Sequence, residues 1–302
     1  MTQPAFGRLV ILGLGLIGGS LAKSLKARRA VREVVGWGHR ESSLQTGQQL
    51  GVIDSYSLDL AAAVRGADVV VIATPTLIAE QMLAQLAPLL EPQTLITDVA
   101  SVKGNLLRAA QRVFGAVPGN LVLGHPIAGS ERSGVSAANG DLFLHHRVIL
   151  TPTAETDAAA LARIRAMWQL TGADVLEMAV EEHDRVLAAT SHLPHVLAYA
   201  LVDALAGDPA QRDIFRFAAG GFRDFTRIAA SDPTMWRDIA IANRPALLAA
   251  IDQFSAHLEG LRTAIDRADG ASIMATFSRA KEARDEFSEL LRRQRPTTTS
   301  QE

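Results

Sequence analysis

A chain of 302 residues with 48% apolar and 21% charged side chains is long enough for two domains and for a sizeable buried core. Its net charge of −2, with acids and bases interleaved, offers no basic face to nucleic acid or to an anionic membrane. The absence of cysteine excludes disulfides, thiolate metal sites and cysteine nucleophiles, and no apolar run reaches the ~18 residues a bilayer span needs, so a cytoplasmic protein is expected.

The first predicted strand, Leu9–Gly13, runs straight into glycines at 13, 15 and 18 and then into the helical segment LAKSLKA. Strand, glycine turn and helix in that order give a dinucleotide fingerprint the context it needs. Gly13 permits the tight turn, Gly15 lets the backbone approach a pyrophosphate, and Gly18 lets the helix pack on the strand. Leu16 and Ile17, inside the turn, are counted with them as cofactor contacts, because helix N–H groups there face the phosphates. Arg8 ahead of this apolar stretch also resembles a secretory leader, but Gly13, Gly15, Gly18 and Gly19 interrupt it.

Further strands are predicted at Glu33–Trp37, Val69–Ala73, Leu95–Asp98, Leu121–Gly124, Val148–Thr151 and Asp174–Glu177, alternating with helical patterns as in βαβ units with a parallel sheet. Beyond Ala179 the strand signal stops. Helical spacing takes over, with a long segment from Val180 to Leu205, then Pro245–Arg267 and Ser272–Arg293. The expected fold is an α/β Rossmann-type domain over residues 1–178, followed by an all-α domain over 179–294. The helical half carries more apolar residues than a small bundle buries alone, so a homodimer through it is expected, with a compact monomeric bundle as the alternative. The polar tail 295–302 lacks periodicity and is expected to be disordered.

The second predicted strand ends in Gly38-His39-Arg40, where such folds usually carry an acid for the ribose 2′-hydroxyl. An arginine there, with His39 and the hydroxyls of Ser42 and Ser43, accommodates a 2′-phosphate and favours NADP slightly over NAD. Arg40 packing its stem over the adenine is the alternative, and either cofactor allows it. Thr74 and Pro75, closing the third strand, fall beside the cofactor's ribose and nicotinamide. Ser101 and Lys103 follow the fourth strand, at the edge where open α/β sheets collect ligands. Ser101 is equally a candidate helix N-cap. His125 leaves the fifth strand within GHPIAGSERSG, pinned by a proline, and its imidazole can take a proton near neutral pH.

In SHLPH, His192 and His195 lie three apart on one helical face, with Pro194 bending the helix. His183 and Asp184 upstream bring a metal site into consideration, but no zinc-type spacing accompanies them, so substrate contact is favoured and no metal is expected. In GGFRDFTRIA, Gly220 and the arginines can receive a carboxylate through paired N–H donors, Arg227 more than Arg223, which has Asp224 as an ion-pair partner. Ser231 or Asp232 then caps a helix begun by Pro233.

The segments GLGLIGGS, TDVASVK, GHPIAGSERSG, SHLPH, GGFRDFTRIA and SDPTMW, in this order over roughly residues 7 to 290, resemble the prephenate and arogenate dehydrogenases of tyrosine biosynthesis, including the cyclohexadienyl dehydrogenases. The resemblance implies a Rossmann domain, a helical dimerisation domain, and NAD(P)-dependent oxidative decarboxylation of prephenate or arogenate. By motif position it gives His125 the ring hydroxyl and its proton, Ser101 the same hydroxyl or the orientation of His125, and Arg227 the ring carboxylate. His195, with His192 behind it, would hold the side chain, while Glu131 and Trp236 line the pocket. Two positions depart from the pattern: the acid expected at the second strand tip is absent, and Ala100 stands where a glycine is expected.

Overall fold

The computed structural model describes residues 4–130, 132–207 and 214–294; Glu131 and the tail 295–302 lie outside these. By their contacts the residues form two compact units, Met1–Leu247 and Leu248–Glu302.

In the first unit, β1 (Phe6–Leu12), β2 (Val31–Trp37), β3 (Ser55–Ser57), β4 (Val69–Ile72), β5 (Leu95–Asp98) and β6 (Leu121–Val122) form one parallel sheet in the order β3-β2-β1-β4-β5-β6. The connecting helices are α1 (Leu16–Ala27), α2 (Glu41–Gln49), α3 (Leu60–Val64), α4 (Thr76–Leu86) and α5 (Gly104–Phe114). Both faces of the sheet are covered, because Leu9 and Ile11 pack into one apolar core while Val10 and Leu12, pointing the other way, pack into a second. Buried on both sides, such strands are apolar throughout, which is why they stand out in the sequence. The three-residue β3 does not stand out: SYS is polar and only half-buried.

The predicted strand Leu121–Gly124 is in fact two strands in two sheets. β6 ends at Val122, and β7 (Gly124–Pro126) pairs antiparallel with β8 (Arg147–Leu150), which pairs parallel with β9 (Asp174–Glu177). The chain changes sheets at Leu123, so His125 sits on a strand rather than in the loop after one. Between β8 and β9, α6 (Ala158–Gln169) buries Ile164, Met167 and Trp168 against the first core.

The helical part begins with α7 (Val180–Leu187) and α8 (Leu193–Ala206), joined by one π-helical turn over Ala188–His192. Pro194 has no N–H to give and its ring crowds the carbonyl four residues back, so widening the preceding turn keeps the helix running where a sharp bend is expected. Next come a 3₁₀ turn at Ile214–Phe217, α9 (Gly220–Thr226), a second at Arg227–Ala230, and α10 (Pro233–Ala242). Asp232, not Ser231, caps α10, accepting from the N–H groups of Thr234 (2.8 Å) and Met235 (3.0 Å). Ile239 and Ala242 of α10 pack with Trp236 against Val102 and Leu77, which seats this helix on the Rossmann part. The remaining helices are α11 (Arg244–Asp266) and α12 (Gly270–Gln294). Among the described residues, no helix is long and apolar enough to cross a membrane.

Candidate active site

The glycine turn after β1 has the form the fingerprint requires. Gly13 has φ +97°, and a Cβ there would sit 2.7 Å from the Ala73 carbonyl oxygen. A Cβ on Gly18 would meet the Ile11 side chain at 2.7 Å, whereas at Gly15 nothing lies within 4 Å. The backbone is thus closed where helix meets strand and open where a pyrophosphate would approach. Leu16 and Ile17 begin α1, whose first turn has neither a side-chain cap nor an acidic residue, so its N–H groups are available to an anion. At the tip of β2, the ring of His39 packs edge-on to Trp37 at 5.0 Å; Arg40, the N-cap position of α2, is exposed, as is Ser42. After β4, the Thr74 hydroxyl is buried with no hydrogen-bond partner, and exposed Pro75 precedes α4. These residues fit a bound dinucleotide.

At the far side of the same strand-end edge, a buried polar network surrounds His125. Its Nδ1 lies 3.0 Å from His183 Nε2, and His183 Nδ1 lies 2.8 Å from Asp184 Oδ1. Asp184 also accepts from the backbone N–H groups of Lys103 (2.9 Å) and Gly104 (2.8 Å). Burial opposes its charge, but the hydrogen bonds from His183 and those two amides hold its carboxyl below the usual carboxylate range. Burial pushes His183 down, so it stays neutral and must donate from Nδ1 to the carboxylate. Its Nε2 is then an acceptor, His125 must donate from Nδ1, and the lone pair of His125 is fixed on Nε2. Burial first, then electrostatic opposition from His183, Lys103 and His192 to a second positive charge there, hold the His125 imidazole well below its ordinary pKa.

The strand carrying His125 is clamped from beneath. Asp98, the last residue of β5, accepts from the N–H groups of Gly124 (3.1 Å) and Ala100 (2.8 Å), and it pairs with the fully buried ammonium of Lys103. Lys103 also donates to the Gly124 carbonyl at 2.6 Å. Lys103 is therefore a brace below the site. Ser101 is not a helix cap: α5 starts at Gly104, and Asp184, reaching across from α7, satisfies the amides at its start. The Cβ of any other residue at 104 would come within 2.8 Å of that carboxylate.

In the helical part, His195 stacks on Trp236 at 3.5 Å, and His192 meets the same indole at 6.1 Å. His195 Nδ1 bonds the Ser191 carbonyl (2.9 Å), while Asn243 donates from Nδ2 to the Asp184 carbonyl (2.8 Å) and His192 Nδ1 (3.1 Å). Burial pushes His192 down to about 4. His192 and Trp236, with Val196, Tyr199, Ile239 and Leu247, border an apolar cavity of about 240 Å³. Arg227 begins the 3₁₀ turn packed on α8, exposed, close enough for its charge to lower the His195 pKa after burial and the Ser191 bond have acted. Gly220 opens α9, also exposed, and Arg223 pairs with Asp224 at 3.4 Å in solvent. Among the described residues, no cluster of histidine and carboxylate groups has a metal-binding arrangement.

Sequence reasoning placed His125, His192, His195 and Trp236 in functional segments but gave no role to Asp98, Asn243, or the His183–Asp184 pair beyond the metal question. Asn243, His183 and Asp184 reach partners 51 to 81 residues away and Asp98 reaches the Gly124 amide 26 residues on, so spacing carries no signal of those contacts. The local hints are the adjacency of His183 and Asp184 and the five-residue step from Asp98 to Lys103.

A dinucleotide cradle on the edge where a fixed imidazole lone pair emerges is the layout of a dehydrogenase, with one fold half for the cofactor and the other facing the substrate. Two family models match successive parts of the chain: the nucleotide-binding domain of prephenate dehydrogenase matches residues 21–177, and its dimerization domain matches 179–279. The chain belongs to the prephenate dehydrogenase family and is an oxidoreductase. It is 39% identical to a cyclohexadienyl dehydrogenase of Zymomonas mobilis over 92% of this chain and 95% of that one, and 38% identical to a prephenate dehydrogenase of Bacillus subtilis over 92% and 75%. The crystal structure of an Aquifex aeolicus prephenate dehydrogenase with hydroxyphenyl propionate and NAD⁺ superposes with a TM-score of 0.87 at 35% identity, covering 95% of this chain and 99% of that one. A Synechocystis arogenate dehydrogenase gives 0.79 at 30% identity, over 93% and 99%.

Proposed function

We propose that this enzyme oxidatively decarboxylates prephenate, or arogenate, to 4-hydroxyphenylpyruvate or tyrosine, with His125 as the base. The observation that carries this is the chain Asp184–His183–His125, which leaves one acceptor nitrogen, His125 Nε2, without a protein partner among the described residues. The ring C4–H bond breaks and its electron pair leaves as hydride, for which the bound nicotinamide is the acceptor. The C4 hydroxyl proton passes to His125 Nε2 as carbonyl character develops. The bond from the ring to its carboxylate then breaks, CO₂ departs, and that electron pair restores the aromatic ring. His125 returns its proton to the phenolate oxygen, so the protein ends as it began. Aromatisation makes the step strongly downhill, and the residues mainly align donor, acceptor and base.

Ser101, its hydroxyl unspent on the helix, contacts the same hydroxyl or steadies His125. Arg227 holds the ring carboxylate, Gly220 lies beside it, and His195, His192 and Trp236 hold the side chain. Glu131 lines the pocket in this reading but lies outside the described residues. Gly13, Gly15, Leu16, Ile17, Gly18, Thr74 and Pro75 bind the dinucleotide, and His39, Arg40 and Ser42 tilt it slightly toward NADP. The domains divide near residue 178, and the location is cytoplasmic.

A homodimer through the helical part is supported by its surface. In the described part of the second unit no side chain is buried, although α11 and α12 carry Phe254, Leu258, Ile265, Met274, Phe277 and Phe287, all exposed. Apolar faces of this extent on two long helices call for a partner. Light scattering on the purified chain checks it. The decisive assay is a matrix of prephenate and arogenate against NAD and NADP, following reduced nicotinamide. No turnover in any of the four cells ends this reading.

A further inference from the structure

Asn243 occupies the junction between α10 and α11 and is almost fully buried. Both contacts of its amide nitrogen are informative. The first partner, the Asp184 carbonyl, can only accept, so the atom facing it is the amide nitrogen. That same nitrogen faces His192 Nδ1, which must therefore accept too, and the ring proton of His192 has to lie on Nε2. His192 is thus the opposite tautomer to His125: one ring offers a lone pair from Nε2, the other an N–H. A single bonded path joins them, from His125 through His183, Asp184 and Asn243 to His192.

We propose that Asn243 is a positioning residue that holds His192 as a fixed Nε2–H donor, which suits the keto oxygen of the prephenate side chain and mismatches the ammonium of arogenate. This rests on the reading above that the substrate's side chain lies against His192. His192 stays neutral through the physiological range. Burial is the main cause, opposed by the Asp184 carboxylate and reinforced by His183 and His195. The remaining neighbours, the Asn243 amide and the Trp236 indole, carry no charge. The cavity wall beside it is mainly apolar, formed by Val196, Tyr199, Trp236, Ile239 and Leu247; the one charged residue in the lining, Arg237, is ion-paired to Asp238. In such surroundings a donor facing an acceptor is rewarded. A donor facing an ammonium, which has only donors, is left unpaired against a cation. A site built to hydrogen-bond one group discriminates strongly against a substrate that lacks the matching one.

The test uses the full-length enzyme labelled with ¹⁵N at histidine, the His192 signal being the one missing from His192→Gln. At neutral pH the spectrum should show His192 protonated on Nε2 only; a wild-type ring protonated on Nδ1 overturns the proposal, whatever the kinetics. Asn243→Asp replaces the donor by a carboxylate of the same size, and should move the proton to Nδ1 or add a second one. The wild-type enzyme should favour prephenate over arogenate by at least about tenfold in kcat/KM, and Asn243→Asp should cut that ratio about tenfold, mostly through KM. In His192→Gln, whose amide supplies a donor near the Nε2 position without tautomers, Asn243→Asp should leave the ratio within about twofold. A switched tautomer with an unchanged substrate ratio also overturns the proposal. If Asn243→Asp fails to fold, the wild-type tautomer and the wild-type ratio still decide, since either one contrary sinks it. Absence of turnover with both substrates strikes instead at the reading above, and the spectrum still reports on Asn243.

Discussion

The two ends of this site are built differently. Around His125 the charged and imidazole groups that support it are buried and paired: Asp98, Lys103, Asp184 and His183 come from β5, the turn before α5, and α7, and each holds the next. Around Arg227 the elements are short, a seven-residue helix and a 3₁₀ turn, and Gly220, Arg223 and Arg227 are exposed. A base works only if its lone pair and its pKa are fixed before the substrate arrives, and burial does both. A group that admits a charged substrate has to remain reachable by it. Substitutions should therefore cost stability and turnover at one end, and affinity at the other.

The largest effect is expected beneath His125. Lys103→Met leaves the Asp98 carboxylate buried without its counter-ion, which costs about 3–5 kcal/mol of unfolding free energy, while Arg227→Ala should stay within about 0.5 kcal/mol of the parent. Urea unfolding of both variants compares them directly. Equal losses would mean the two ends are not built differently.

His125→Asn should lower kcat by about 10²-fold or more with cofactor affinity intact. Near-normal turnover by a folded variant would remove the ring from the mechanism. The same ring sets the pH profile. Its pKa is held well below 6.5 in the folded protein, so the base stays in its working, neutral form at mildly acidic pH. The acid limb of kcat/KM should accordingly fall well below pH 6.5, and a limb at or above 6.5 would contradict the buried network as its cause.

At the open end, Arg227→Ala should raise KM for prephenate at least about tenfold, or roughly 1.4 kcal/mol, with nucleotide binding unchanged. Arg227→Lys should recover part of that, because an ammonium cannot reproduce the two-pronged guanidinium contact. Normal prephenate binding by the alanine variant would shift the carboxylate to another cation, with Arg223 the first to examine. The smallest effect belongs to Arg40. Exposed at its strand tip, it should contribute at most about 1 kcal/mol to a 2′-phosphate contact, so Arg40→Ala should raise KM for NADP no more than about fivefold and leave NAD alone. An equal rise for both nucleotides would point to packing on the adenine.

Where burial is two-sided or a turn demands glycine, the amino-acid sequence by itself determined the outcome. The β-branched runs of β1, β4 and β5, the glycines at 13, 15 and 18, and the change to helical spacing near residue 179 are local consequences of strand, turn and helix chemistry. Local chemistry also singled out His125 and the SHLPH segment. Tertiary structure decided the rest. The polar SYS of β3 becomes a strand only because Val35, Gly36 and Trp37 offer it an edge, and the run 121–124 divides between two sheets because β8 competes for Gly124. Ser101 loses the capping role to a carboxylate 81 positions on from Lys103. Which nitrogen of His125 or His192 carries a proton depends on partners brought together from distant segments, and a hydrogen bond across that separation leaves no periodicity in the chain for a reader of sequence to find.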